Sequence, residues 1–321
     1  MQFDALIHSI SLIDRELAEA IRRIEDGWKT GDAADAALTD VIADILMSCV
    51  AGGLFSVDTM VAGFNMFAEE FLRHQMDCVR SGSYRAKEYE AVRRQVYEND
   101  EYMASTYYPA LLLSYIGAPN YRHILRSLDA TLGDWRTTGV NRIVDIAGGH
   151  GFLLLYALNK LPTATGVCVD LSPVAGRFSS SLQKITGWGE SRFAHRTIDL
   201  LGTQASELPS SFDAALCCEL LEHIPNPEEF LNRIRALLSK EGRLFVSAAV
   251  RMESVDHLTF FASREEVTRM MEVAGFEILA DMSVPFVASR PSDAHKWDRL
   301  LSDGTVPATF VAECRVRSNP R

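Results

Sequence analysis

Three glycines, Gly148, Gly149 and Gly151, crowd between the apolar run Arg142–Ile146 and a helix-like run over 152–158. Strand, glycine turn, helix is an order that bends the backbone sharply and admits a ligand where no Cβ stands in the way. It also points backbone N–H groups at whatever rests on the helix N-terminus. Two acids follow. Asp170 comes nineteen residues after Gly151 at the end of the next strand-like run, and Asp199 ends the one after that. A carboxylate in the first position can accept hydrogen bonds from both hydroxyls of a ribose, and one in the second can accept from an adenine amino group. Each acid alone reads equally well as a solvated loop residue. Together with the glycine turn they point to a nucleoside-cofactor site.

A dinucleotide is the wrong cofactor for this spacing. The G-x-G-x-x-G pattern counted from Gly149 requires glycine where Leu154 stands, and counted from Gly148 it fails at His150. Asp145 precedes the turn instead, and a carboxylate there suits a ligand with an ammonium group, such as a methionine moiety, better than a pyrophosphate. His150 fills a variable place in the turn and is expected to face solvent.

Further along, Glu219, Glu222 and His223 are spaced i, i+3, i+4. On a helical turn they share one face. Two carboxylates and one imidazole could begin a divalent-metal site, but they leave coordination positions to fill, so the expectation is no metal. His223 is separately a candidate general base. His257, in Asp-His-Leu-Thr-Phe-Phe, and Glu222 complete the catalytic candidates.

The elements that must position these groups fall into two kinds. Before about residue 140 no segment alternates like a strand. Leu6, Ile10, Ile13, Leu17, Ile21 and Ile24 recur as one face of a helix; Val41, Ile42, Ile45, Leu46 and Cys49 mark a second, and Met60, Phe64, Phe67 and Phe71 a third. The stretch 131–139 has the composition of a connection. The expected division is a helical cap over 1–135, serving substrate or dimerisation, and a cofactor domain over 136–321. Within the cap, Tyr102, Tyr107, Tyr108 and Tyr115 cluster with Tyr97, Tyr121 and His123. Tyrosine joins an apolar body to a polar tip and suits the wall of a substrate pocket. An aromatic face packed on the core explains the cluster as well, and the surface of a homodimer is a third reading. After the glycine turn, strand-like and helix-like runs alternate. The final two strands, 276–282 and 308–316, lack a helix-length segment between them and are expected to pair antiparallel.

Composition narrows the class. The chain has 321 residues, 47% apolar and 23% charged, with a formal net charge of −11. It is globular, and it has no general attraction for phosphate backbones, so nucleic acid is not an expected partner. Cys49, Cys78, Cys168, Cys217, Cys218 and Cys314 are scattered without a CxxC pair, which reads as reduced thiols in a cytoplasmic protein. The N-terminus lacks a basic lead, and the most apolar region, 45–57, is too short to span a bilayer.

The residues now carry a resemblance. Val-Asp-Ile-Ala-Gly-Gly-His-Gly (144–151), Asp170, Asp199, and Phe-Asp-Ala-Ala-Leu-Cys-Cys-Glu-Leu-Leu-Glu-His-Ile-Pro (212–225) resemble the class I S-adenosylmethionine-dependent methyltransferases, as do Leu-Leu-Ser-Lys-Glu-Gly-Arg-Leu-Phe-Val-Ser (237–247) and Ala-Gly-Phe-Glu (274–277). The likeness is to the small-molecule and quinone-biosynthesis group. It covers about residues 140–317, and its motifs occur in order; Ala147 departs from the usual glycine. It implies a doubly wound, Rossmann-like α/β sheet of seven strands with an antiparallel last strand, preceded by the all-helical segment. By position, Asp145, Ala147, Gly149 and Gly151 would surround the methionine part, Asp170 with Leu171 the ribose, and Asp199 with Leu200 the adenine. Cys218 and Glu219 would border the sulfonium and the acceptor. The expected activity is in-line transfer of a methyl group from S-adenosylmethionine to a small organic acceptor. A non-catalytic partner subunit of the same fold and a metal-assisted RNA 2′-O-methyltransferase are the competing readings.

Overall fold

The computed structural model describes residues 2–29, 33–81, 88–202, 208–286, 291–302, 304 and 306–317. The first apolar stripe folds as two helices, α1 (Gln2–Ser11) and α2 (Arg15–Lys29). The single helix expected there breaks because the Asp14 carboxylate accepts the Leu17 backbone N–H at 2.9 Å and starts a new helix. Helices α3 (Ala33–Ala51) and α4 (Val57–Ser81) follow. The tyrosine-rich stretch is less regular. Short helices α5 (Tyr89–Val92) and α6 (Asp100–Tyr102) alternate with π-helical turns at Arg93–Tyr97 and Met103–Tyr107, before α7 (Tyr108–Gly117) and α8 (Pro119–Thr138). Single π-turns of this kind concentrate at functional sites.

Helix α8 corrects the expected connection at 131–139. Proline at its first turn starts it, Gly133 is tolerated inside it, and it ends at Gly139 in the left-handed conformation (φ 78°). Near its end the buried Trp135 Nε1 donates to Glu313 Oε1 at 3.1 Å, so the helix is clamped to the far side of the sheet. The buried core runs without interruption from Phe3 and Leu6 through α7 and α8 to Ile143, Phe152 and Phe178.

The sheet contains β1 (Arg142–Ile146), β2 (Thr165–Asp170), β3 (Phe193–Thr197), β4 (Phe212–Cys218), β5 (Leu238–Val250), β6 (Phe276–Pro285) and β7 (Ala308–Val316), in the order β3-β2-β1-β4-β5-β7-β6. β7 runs antiparallel to both its neighbours and the other pairings are parallel. Helices α9 (Phe152–Lys160), α10 (Pro173–Thr186), α11 (Pro227–Leu237), α12 (Arg264–Val273) and α13 (Trp297–Ser302) complete the chain. A second core cluster, built on Phe230, Ile234, Val267 and Phe276, fills the opposite face. This is the expected doubly wound, seven-stranded fold. β5 begins at Leu238, earlier than the glycine at 242 suggested, because Leu238 pairs with Phe212. β3 stops before Asp199, whose carboxylate turns back to accept the Leu201 N–H at 2.8 Å. No helix among the described residues is long and apolar enough to cross a membrane.

Candidate active site

The strand order reverses beside β1, which pairs with β2 on one side and β4 on the other. In such sheets the crevice at the strands' carboxyl ends is the binding place. β1 delivers Asp145 there, 3% exposed, with Oδ2 lacking a hydrogen-bond partner among the described residues. Burial first, then the charge of Asp170, pushes the Asp145 carboxyl up to about 8. A Cβ on Gly148 would overlap that carboxylate and lie 2.8 Å from Cys168 Sγ, so only glycine fits against Asp145. Ala147, at the departure from the usual glycine, is held at φ 51°, a conformation that costs an L-residue energy. Gly151, at φ 73°, precedes α9, and a Cβ there would come 2.7 Å from Ser179 Cβ.

Asp170 closes the turn. Its two oxygens accept the N–H groups of Gly149 at 3.0 Å and Ser172 at 2.8 Å. Burial outweighs these bonds and raises the carboxyl to about 6. The Asp170 oxygens are therefore already used in shaping the loop, although a carboxylate has lone pairs left for ligand hydroxyls. A cavity of about 160 Å³ opens over the turn. Of the ten residues nominated for the cofactor, Asp145, Ala147, Gly149, Asp170, Leu171, Cys218 and Glu219 line it; Gly151, Asp199 and Leu200 do not. Asp199 instead faces Arg93 Nη1 at 3.7 Å, an ion pair that ties the π-turn after α5 to the end of β3. His150, expected in solvent, is 6% exposed and lines the same cavity; its Nδ1 accepts the Phe152 N–H at 3.1 Å, and burial depresses the imidazole to about 3.

The tyrosines divide. Tyr107, Tyr108 and Tyr115 line the cavity over the glycine turn, while Tyr102 and Tyr107 line a second cavity of about 420 Å³ behind it. Tyr107, Leu111, Tyr121, Glu219 and His223 belong to both walls, so the two spaces meet there.

His223 stands at that junction. Its Nδ1 lies 3.0 Å from the Tyr97 hydroxyl, 3.1 Å from the Asp256 carbonyl and 3.4 Å from the Asp256 carboxylate. A carbonyl oxygen only accepts, so this contact places the His223 proton on Nδ1 and leaves Nε2 with a lone pair. Burial would raise Asp256, yet the His223 and His257 imidazoles hold its carboxyl below the usual range. The His257 ring stands edge-on to His223 at 4.9 Å and its Nδ1 lies 3.0 Å from the Met252 carbonyl.

Glu219, Glu222 and His223 do not lie on one α-helical turn, although all three line the second cavity. The segment Leu221–His223 is a 3₁₀ turn, and Glu219 sits at φ 48°, pinned by Ser247 O and Oγ, each 3.0 Å from its N–H. The ligand atoms that do converge are those of Glu222, His223 and His257, within 4.8 Å of one another, and these could hold a metal ion. Glu222 is 1% exposed, with no side-chain donor to its carboxyl oxygens among the described residues; burial and then Glu219 drive its carboxyl well above the usual range, against weaker support from the backbone at Ala249.

Tyr97 and Asp256 were not nominated from sequence, although Tyr97 lay in the tyrosine cluster and Asp256 adjoins His257. Only the fold brings the two to one imidazole across 159 residues of chain.

Residues 144–244 match the family model described as a methyltransferase domain. Among curated proteins, the ubiquinone biosynthesis O-methyltransferase of Aeromonas salmonicida (strain A449) is 28% identical over 162 residues, covering 44% of this chain and 65% of the relative. The mitochondrial ubiquinone biosynthesis O-methyltransferase of Schizosaccharomyces pombe is 30% identical over 135 residues, covering 41% of this chain and 46% of the relative. The alignments thus span about half to two thirds of these relatives' own length. Among solved structures, the mitomycin 7-O-methyltransferase MmcR superposes with a TM-score of 0.51 at 18% identity, over 81% of this chain and 70% of that one, a likeness of fold.

Proposed function

We propose that this chain, whose residues 144–244 are a methyltransferase domain of the class I S-adenosylmethionine-dependent group, is an enzyme that methylates a small organic acceptor. The observation that carries the reading is Asp145. It is a buried carboxylate with an oxygen that has no partner among the described residues, packed against Gly148, which admits no Cβ, in a cavity that shares a wall with a second, larger one. The cation this carboxylate lacks is what the ammonium of a methionine moiety provides. Asp145 and the Ala147–Gly149 backbone would hold that moiety, and Asp170 with Leu171 the ribose. Asp199 and Leu200 reach the adenine only if Arg93 yields its ion pair. When bound, S-adenosylmethionine supplies a methyl group on a sulfonium that leaves readily.

The chain's own residues then do three things. The helical cap closes the site: Tyr97, Met103, Tyr107 and Tyr108 form its roof and exclude water. The junction at Glu219 and His223 aligns the acceptor with the donor pocket. His223 Nε2 takes the acceptor's proton as the new bond to carbon forms, while Asp256 and Tyr97 hold the ring and stabilise the imidazolium. His257, edge-on to the His223 ring, supports this histidine. The cytoplasm is the compartment this reading assumes.

Incubation with methyl-labelled S-adenosylmethionine and a cell-free extract tests it. Label should enter the small-molecule fraction and disappear with His223→Ala. Label in RNA would favour the nucleic-acid reading, against which the net charge of −11 already speaks.

A further inference from the structure

The second cavity has a chemical character of its own. Its apolar wall is aromatic: Phe64, Phe67, Phe71 and Phe286 with Tyr102 and Tyr121. Its permanently charged side chains are acids, with His223 and His257, both packed beside Asp256, as its basic groups. Glu70, Glu219, Glu222 and Asp256 line it, and among the described lining residues none is lysine or arginine. Asp256 is engaged with His223 and Ser254, and Glu70 faces Arg73 Nη2 at 3.8 Å outside the wall. Glu222 is different: it is 1% exposed, and among the described residues neither oxygen has a side-chain donor or a cation, the backbone at Ala249 lending it only weak support. A buried carboxyl without a cation or a side-chain donor costs stability, and a ligand that brings such a donor relieves that cost.

We propose that this chamber binds an acceptor that carries a protonated amine, with Glu222 as its counter-ion and the aromatic rings around it. The proposal rests on the methyl-transfer reading above and names the acceptor class. A carboxylate- or phosphate-bearing acceptor would meet four carboxyl groups and, among the described residues, no lysine or arginine. A neutral apolar acceptor would leave Glu222 as it is. An organic ammonium satisfies Glu222 by a charge-assisted hydrogen bond and draws on the quadrupoles of the surrounding rings. At about 420 Å³ the space suits a molecule of several rings and is far larger than a bare metal ion requires. Glu222 lines this chamber but not the cavity over the glycine turn, whereas His223 lines both. The amine is therefore an anchor set apart from the atom that receives the methyl group.

Three probes with one bicyclic skeleton separate the alternatives: tryptamine (cation), 3-ethylindole (neutral) and indole-3-propionic acid (anion). Each is titrated by calorimetry into the full chain saturated with S-adenosylhomocysteine, alongside MgCl₂ and ZnCl₂ alone. The expected result is tryptamine binding about tenfold or more tighter than 3-ethylindole, with the anion weakest. Glu222→Gln should abolish that preference. Equal binding of the three probes, preference for the anion, or binding of none of them overturns the proposal. So does a Glu222-dependent metal isotherm without tryptamine binding. The rank order in the unmutated protein decides the matter even if Glu222→Gln fails to fold. Failure of the preliminary S-adenosylhomocysteine titration would overturn the methyl-transfer reading instead.

Discussion

The Tyr97 hydroxyl lies 3.0 Å from His223 Nδ1, joining the helical cap to the turn after β4 at the point where two cavities meet. The cap thus supplies a partner for the proposed base as well as a roof. Tyr97→Phe keeps the ring and removes the hydroxyl. It should lower kcat about tenfold, the scale of one hydrogen bond to a charged group, with S-adenosylmethionine affinity unchanged. His223→Ala should cost about 10²–10⁴-fold in kcat. Steady-state kinetics on both variants check this; equal losses in kcat and in donor affinity would make Tyr97 merely structural.

The buried acids of the donor pocket predict a pH dependence. Asp145, at about 8, and Asp170, at about 6, both stand above the ordinary carboxylate value. The folded protein therefore keeps protons that the unfolded chain has released. Their contribution is intact below about pH 4, declines as pH rises above it, and is fully lost by about 6 for Asp170 and about 8 for Asp145. The ligand-free Tm should fall as pH rises from about 4 to about 8, most steeply below 6 where both acids contribute, and Asp145→Asn should flatten the part between 6 and 8. Binding of an ammonium group favours ionised Asp145, so cofactor affinity should rise toward pH 8. Thermal melts with and without S-adenosylhomocysteine read both effects.

Ala147 tests the turn itself. Its φ of 51° costs an L-residue about 1–2 kcal/mol, while glycine there gives back about 0.5–1 kcal/mol in chain entropy. Ala147→Gly should be neutral or stabilising by up to about 1 kcal/mol. Ala147→Val, β-branched, should destabilise by about 1–3 kcal/mol. Denaturant midpoints distinguish the two.

Helix α8 predicts resistance where the composition suggested a connection. Residues 131–138 are helical and Trp135 is fully buried against Glu313. Limited proteolysis of the native chain should leave this stretch uncut. Trp135→Phe, which removes the donor to Glu313, should cost about 1–2 kcal/mol of stability.

The sheet half was legible because its rules are local. Glycines before a helix, an acid at each strand end and alternating runs each leave a mark within a dozen residues, and Asp145, Gly149 and Asp170 lie where those marks pointed. Asp199 was harder: the end of β3 depends on a turn closed by its own side chain, and its partner Arg93 comes from the cap. The acceptor side was not legible. Glu222 and His223 stand out as candidates from their residue types, but their arrangement does not, since the left-handed Glu219 and a 3₁₀ turn replace the α-helix that the i, i+3, i+4 spacing assumed. His150 was misplaced because burial by Tyr108, Tyr115 and Phe152 comes from tertiary packing, which a single variable position does not record.

The central claim is that Asp145 and the glycine turn hold the methyl donor, and isothermal titration with S-adenosylhomocysteine tests it most directly. The account predicts one site per chain, weakened about tenfold or more by Asp145→Asn and by about 1–3 kcal/mol in Asp170→Ala. Absence of binding to the unmutated protein, or an affinity untouched by Asp145→Asn, would contradict it.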